Sequence, residues 1–272
     1  MLRKSWGGAL RGCALAGLLG AAATAMAQQA PPDFSSNNTA WVSAGDLAAA
    51  PGSPPIMRND PAHRYVPNNT AEQPTYRIGD VSNPNLKPWV RERMKKDNDE
   101  VLAGKIAFTA RQSCMPAGVP GFFTFAVRPV HFVQTPKEVL IIYSGDEQVR
   151  HVYLDVPHSP NLKPSWYGES VGHYEGDTLV VDTIALNDRT FVDNFRTPHS
   201  DKIHVTERFR MTDGGKTMEV NVRVEDPDAF NDPWSAIKRY RRVTEPFTEE
   251  VCAENNQHLF DYHIPVAQKV DF

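Results

Sequence analysis

Cysteine is scarce in this chain, with only three in 272 residues, and no two are spaced to clasp a zinc ion. There is no glycine loop of the kind that cradles phosphates and no dinucleotide fingerprint, so a nucleotide cofactor has no footing. Neither H-x-H nor H-E-x-x-H occurs among the nine histidines, which removes the short metal-binding spacings. No cofactor and no metal are expected. Basic charge is not in excess either. Lys and Arg number 29 against 33 Asp and Glu, for a net charge of −4. An acidic surface repels phosphate backbones, so nucleic acid is not an expected partner. Internal repeats are lacking, as is any alternation of helix and strand that would build a parallel sheet.

The one long apolar run stands at the front. Arg3, Lys4 and Arg11 precede an uncharged stretch from Cys13 to Ala27 that closes with Ala25-Met26-Ala27. Basic region, short apolar region and small-x-small exit follow the order of a secretory signal peptide. The run is about 15 residues, short of the ~20 that span a bilayer. The expectation is a cleaved signal peptide at 1–27 and a periplasmic or secreted protein with no membrane span in the mature chain. Cleavage removes three basic residues and no acid, so the mature protein is more acidic still. It also removes Cys13. Cys114 and Cys252 remain, and in an oxidising compartment they are expected to form one disulfide. By loop entropy alone that bond contributes up to about 4–5 kcal/mol. Two free buried thiols are the alternative.

Residues 28–86 are rich in Pro and Asn and show no periodicity. Such a segment cannot bury enough apolar area alone to offset its ordering entropy. It is a flexible arm or an extended strap, and anchors such as Tyr65, Val66, Tyr76 and Ile78 favour a strap for its later part. A single globular domain is expected over 87–272. One helix is readable, with Pro88 in its first turn, Val90, Met94 and Val101 on one face, and Gly104 as its stop. After Cys114 the pattern turns to β. Strands are expected at about 127–134, 138–143, 149–156, 170–175, 178–184, 203–211, 217–225 and 235–243. Turn residues separate several of them: Ser144-Gly145-Asp146, Glu175-Gly176-Asp177 and Thr212-Asp213-Gly214-Gly215. The fold class is all-β, an antiparallel up-and-down barrel of roughly eight strands like that of lipocalins, with a β-sandwich as the alternative.

Several residues carry chemistry on these strands. Ile203, Val205, Phe209 and Met211 share a face with Glu207, so Glu207 should point inward. A buried carboxylate needs a task or a partner. It is a general acid or base, or it pairs with an arginine such as Arg150 or Arg239. Should the face of Val171, His173 and Glu175 and that of Val180, Asp182 and Ile184 both turn inward, His173, Asp182 and Glu207 converge as an acid–base set. Arg150, Trp166, Tyr174 and His199 are the candidate ligand contacts around them, and His131, His199 and His204 together with acids are the alternative set for a metal. Gly168-x-Ser170-x-Gly172 has the spacing of a hydrolase nucleophile elbow, but that elbow must run into a helix. Here the chain runs into a hairpin, so Ser170 is not expected to be a nucleophile.

The run from Gly168 to Thr183, GESVGHYEGDTLVVDT, resembles the signature of a large family of exported bacterial proteins. Cys114-Met-Pro-Ala-Gly-Val-Pro120, the strand bearing Arg150, Pro198-His-Ser200, Glu207-Arg208, Asp226-Pro227, Pro233-Trp234 and Cys252-Ala-Glu-Asn255 match it too. Tyr174 stands where that family usually has Trp. The resemblance covers about 85–272 and implies export without specifying a reaction. The functional expectation is a barrel with an interior pocket for a small, mainly apolar organic molecule. It acts either as a cofactor-free lyase, isomerase or hydratase, or as a carrier without catalysis. A metal-dependent or serine hydrolase is the remaining alternative.

Overall fold

A computed structural model describes residues 30–35, 38–67, 70–73, 75–107, 109–110, 114–124, 128–145 and 148–249, together with Met1. The chain divides into two units, Met1–Ala30 and Pro31–Phe272. The expected signal peptide falls outside the described residues, as does Cys252.

Among the described residues, ten strands form in the second unit: β1 (Thr39–Ser43), β2 (Ala48–Ala49), β3 (Val130–Gln134), β4 (Glu138–Tyr143), β5 (Gln148–Leu154), β6 (Glu169–Glu175), β7 (Thr178–Ile184), β8 (His204–Thr212), β9 (Thr217–Glu225) and β10 (Trp234–Thr244). Helix α1 spans Pro88–Leu102 and the short α2 spans Gly121–Thr124. Strands β3 to β10 fall where alternation and turn residues put them. In β9, Met218, Val220, Val222 and Val224 are fully buried, while Glu219, Asn221, Arg223 and Glu225 point away. That is the period of two that a half-buried strand requires.

The strands close into an all-β barrel, as the sequence predicts. Its order is β1-β3-β4-β5-β6-β7-β8-β9-β10, with β1 also pairing β10 to complete the ring and β2 lying outside it against β10. Two details differ from the expected eight-stranded antiparallel order. The ninth strand comes from the Pro- and Asn-rich arm: β1 pairs Trp41 with Val130 on one side and Thr39–Ser43 with Tyr240–Thr244 on the other. Its Ala40 and Trp41 are almost wholly buried, so ring closure offsets the ordering entropy that the arm cannot offset alone. Phe34, Ile56, Met57, Val66, Ile78 and Leu86 are buried along the same segment, which straps the barrel from Phe34 onward. The second difference is that β6 runs parallel to β5, Val152 opposite Ser170. The connection 155–168 is therefore a crossover along the outer wall and not a hairpin.

The two ends of the barrel are built differently. One carries the tight turns 135–137, 176–177 and 213–216. The other collects the long segments: the approach to β3, the arriving crossover 155–168, and the loops 185–203 and 226–233. α2 enters from this loop-rich end. Phe122 and Phe123 are fully buried; Phe123 stacks edge-on with Phe209 and Tyr240, and Phe122 with Tyr143 and Tyr167. The Tyr240 hydroxyl donates to the Phe123 carbonyl at 2.5 Å. α1 packs Val90, Met94 and Asn98 inward and ends at Leu102, two residues before Gly104, whose φ is 89°. Among the described residues no helix is long and apolar enough to cross a membrane.

Candidate functional site

The hairpin β6–β7, which holds the resemblance signature, builds two charged clusters, one on each of its faces. Gly168 starts it in the left-handed region at φ 61°, and a Cβ there would collide with the Ile184 carbonyl oxygen. Ser170, Gly172 and Tyr174 then face inward from β6, and Leu179, Val181 and Thr183 from β7. Arg150 crosses from β5 toward them. Its Nε donates to Ser170 Oγ at 3.0 Å and its Nη2 to Thr183 Oγ1 at 2.8 Å, while the two hydroxyls lie 2.9 Å apart. Arg150 Nη2 also lies 2.6 Å from Glu207 Oε2, and both side chains are 0% exposed. Neither Glu207 oxygen makes an aligned hydrogen bond, so the attraction is mainly Coulombic, and Arg150 Nη1 has no partner. Glu207 thus points inward as its strand pattern requires, and its neighbour is the arginine of the structural alternative. Ser170 is locked in a strand under Arg150, without the helix a nucleophile elbow needs.

The opposite face of the same hairpin carries Glu169, Val171, His173 and Glu175 from β6, and Asp182 from β7. Asp182 accepts from two imidazoles, His158 Nε2 at 2.8 Å and His204 Nε2 at 2.6 Å. His158 lies on the crossover, and its Nδ1 reaches Glu169 Oε2 at 2.9 Å. Glu169 also takes the Ser159 amide and hydroxyl. His158 thus bridges the Glu169 and Asp182 carboxylates through its two ring nitrogens. Beyond His204, Glu225 stands 3.7 Å from Nδ1. Burial works against ionisation of Asp182, but hydrogen bonds from His204 and His158 outweigh it and hold the carboxyl below its ordinary range. The Asp182 hydrogen bond raises His204 in turn. For Glu169, burial is again outweighed by the Ser159 and His158 hydrogen bonds, and its carboxyl is held low.

His173, Asp182 and Glu207 therefore do not converge. The faces assigned to β6 and β7 are reversed: His173 and Asp182 are on the outer wall and Glu207 is inside. The cause is that β7 is apolar on both faces, with Leu179, Val180 and Val181 in succession all buried. On β6 the inward residues are small or hydroxylated to make room for Arg150. His173 is exposed and bonded to Glu175 Oε1 at 3.0 Å, and Arg208 holds the other Glu175 oxygen at 2.6 Å.

The other expected contacts scatter. Tyr174 faces inward near the tight-turn end, where its hydroxyl accepts from Gln134 Nε2 at 2.8 Å and burial raises its pKa. Trp166 is half-buried on the crossover, 6.0 Å from the Arg189 guanidinium carbon. His199 is buried in the loop 185–203. Its Nδ1 donates to the Ser200 carbonyl and its Nε2 accepts from Thr190, and burial lowers its pKa, so the ring is held neutral.

The loop-rich end also holds a cleft that the strand patterns do not reveal. Thr109, Ala110, Ala117, Gly121, Thr190, Phe191, Asp193, Asn194 and Arg196 line it, and its walls are mostly apolar. The cleft is small, about 30 Å³, and opens to solvent. Gly118 lets the two walls meet: its φ is 67° and a Cβ would stand 2.6 Å from Thr190 Oγ1. Asp193 is buried with its oxygens taken by the Phe195 amide and by the Thr197 amide and hydroxyl, and burial pushes its carboxyl up. The signal for this region in the sequence is the length of 185–203 without an element of its own, which in a compact domain marks a working loop.

Comparison with family models, with curated proteins and with solved structures finds no match. Among the described residues, no three His, Cys, Asp or Glu side chains are grouped to hold a metal ion.

Proposed function

We propose that this is an exported binding protein for a small, mainly apolar organic molecule, taken up at the loop-rich end of the barrel. The observation that carries the reading is the cleft between Thr109, Ala110, Ala117 and Gly121 on one side and the segment 190–196 on the other, with apolar walls and a few polar groups. Ligand sites are commonly built this way in the mouths of β-barrels. Against catalysis in the interior stands the separation of His173 and Asp182 from Glu207. Export rests on the leading segment, and membership of the exported family on the 168–183 signature. Net negative charge argues against a nucleic-acid partner. A bond between Cys114 and Cys252 would tie the approach to β3 to the end of the chain. Native mass spectrometry of protein recovered from the periplasm, followed by solvent extraction, tests the reading. A bound small molecule that stabilises the stripped protein on re-addition is expected. Protein that carries nothing and answers to no apolar compound would sink it.

A second reading is favoured by Asp182, a carboxylate set between two imidazoles on the outer wall. That is the equipment of proton-transfer catalysis without a cofactor, as in a lyase, isomerase or hydratase. Its test is turnover by His204→Gln against the parent, once a substrate is found.

A further inference from the structure

Arg150 and Arg196 are both buried guanidinium groups, 1% and 6% exposed, yet only Arg150 has a carboxylate against it. Arg196 forms no ion pair among the described residues. Its Nη2 donates to the Arg77 carbonyl at 3.2 Å and to Asn98 Oδ1 at 3.4 Å, both long bonds to neutral oxygens. Its Nε is buried and has no partner at all. The residue is held at φ 63°, a backbone conformation that a bulky side chain rarely adopts. Asp97 and Asp193 act on it only at a distance, and the Asp193 oxygens are already filled by their own loop. A buried cation without a counter-charge is costly, and proteins resolve the cost by pairing. Arg196 also borders the cleft, whose other walls include Ala110, Ala117 and Phe191.

We infer that the cleft takes a small organic carboxylate, with the carboxylate head on Arg196 and the apolar tail against Ala110, Ala117 and Phe191. The inference rests on the small-molecule binding reading and narrows it to anionic ligands. The cleft is small and open to solvent, so it takes the head group while the tail extends along its apolar walls. A guanidinium edge matches a carboxylate in shape as well as charge, which a neutral alcohol of the same length does not.

Calorimetric titration of the full exported chain with hexanoate and with hexanol tests this. Hexanoate is expected to bind about tenfold or more tighter than hexanol, the usual margin of a charged over a neutral hydrogen bond. Arg196→Gln should erase that margin and leave hexanol binding in place. Ala117→Leu keeps the arginine but fills the cleft, and should weaken both probes about tenfold or more. If Arg196→Gln does not fold, the parent and Ala117→Leu decide between them. Equal affinity for the two probes, a margin that survives Arg196→Gln, or undiminished hexanoate binding by Ala117→Leu overturns the inference. Hexanol binding without a margin sinks the carboxylate alone. Failure of both probes to bind removes the wider reading with it.

Discussion

Ser170 and Thr183 on one face of the β6–β7 hairpin, and Glu169 and Asp182 on the other, are adjacent residues facing opposite media. Inside, Arg150 and Glu207 meet in a space with no exposure, and two hydroxyls fix the guanidinium. Outside, Asp182 sits between His158 and His204 with each side chain between about a fifth and two-fifths exposed. The inner pair is out of reach of salt and solvent, so removing one partner leaves a charge with nowhere to go. The outer cluster is screened and titratable. It clips the start of the crossover to the barrel wall, with a strength that depends on pH. A single residue step along a strand thus separates an element of permanent architecture from an adjustable one.

The largest expected effect is on the inner side. Glu207→Gln should cost about 3–5 kcal/mol in urea denaturation, because it strands Arg150 in the core. Replacing both partners, Arg150→Met with Glu207→Leu, should recover most of that loss. A single replacement costing less than about 1 kcal/mol would show that the pair is not what holds this wall. Next comes the hairpin itself. Gly168→Ala forces a Cβ against the Ile184 carbonyl at a positive φ, and about 2–3 kcal/mol is expected in the same measurement.

The inner half of this comparison was legible in the sequence and the outer half was not. Ile203, just before β8, shares one face with Val205, Phe209 and Met211 of the strand, so the lone carboxylate among them had to be buried. Arg150 was among the named partners. β7 offered no such contrast, because Leu179 to Val181 are apolar in succession, and a one-residue error in facing exchanges the whole set. The parallel β5–β6 pairing was hidden because its crossover contains no helix, the usual mark of such a connection. β1 escaped notice because five residues within a Pro-rich arm become a strand only through the two partners they close upon. Arg196 lies in a loop, where periodicity says nothing.

The outer cluster predicts a bounded pH window. Asp182, held below its ordinary 3.8, contributes stability above that value and loses it as pH falls through its lowered pKa. His204, raised from 6.5, contributes fully below 6.5 and loses its share as pH rises through the raised value. The groups facing it are Asp182, Glu225 and Arg223, the last working against protonation. His204→Gln should flatten the alkaline limb of the melting-temperature profile. About 0.5–1 kcal/mol is expected at pH 6, after allowing for solvent screening of a group over a third exposed. A variant that keeps the alkaline limb would place its origin elsewhere.

The smallest effect is expected at His173, and it sharpens the contrast most. By sequence alone His173 is the natural acid–base partner of Asp182 and Glu207. In the barrel it stands on the outer wall, 52% exposed, with Glu175 as its hydrogen-bond partner. Glu175 keeps Arg208 when His173 is lost, so no charge is orphaned. His173→Asn should therefore move the melting temperature by less than about 2 °C, the range of an ordinary surface change in a domain of this size. It should leave the hexanoate affinity unchanged, since His173 borders neither the cleft nor the inner pair. A drop of 5 °C or more, or a loss of ligand, would mean that the β6 facing is reversed after all. The inner and outer clusters would then have to be reassigned together, because Ser170 and Glu169 cannot exchange faces without carrying His173 inward.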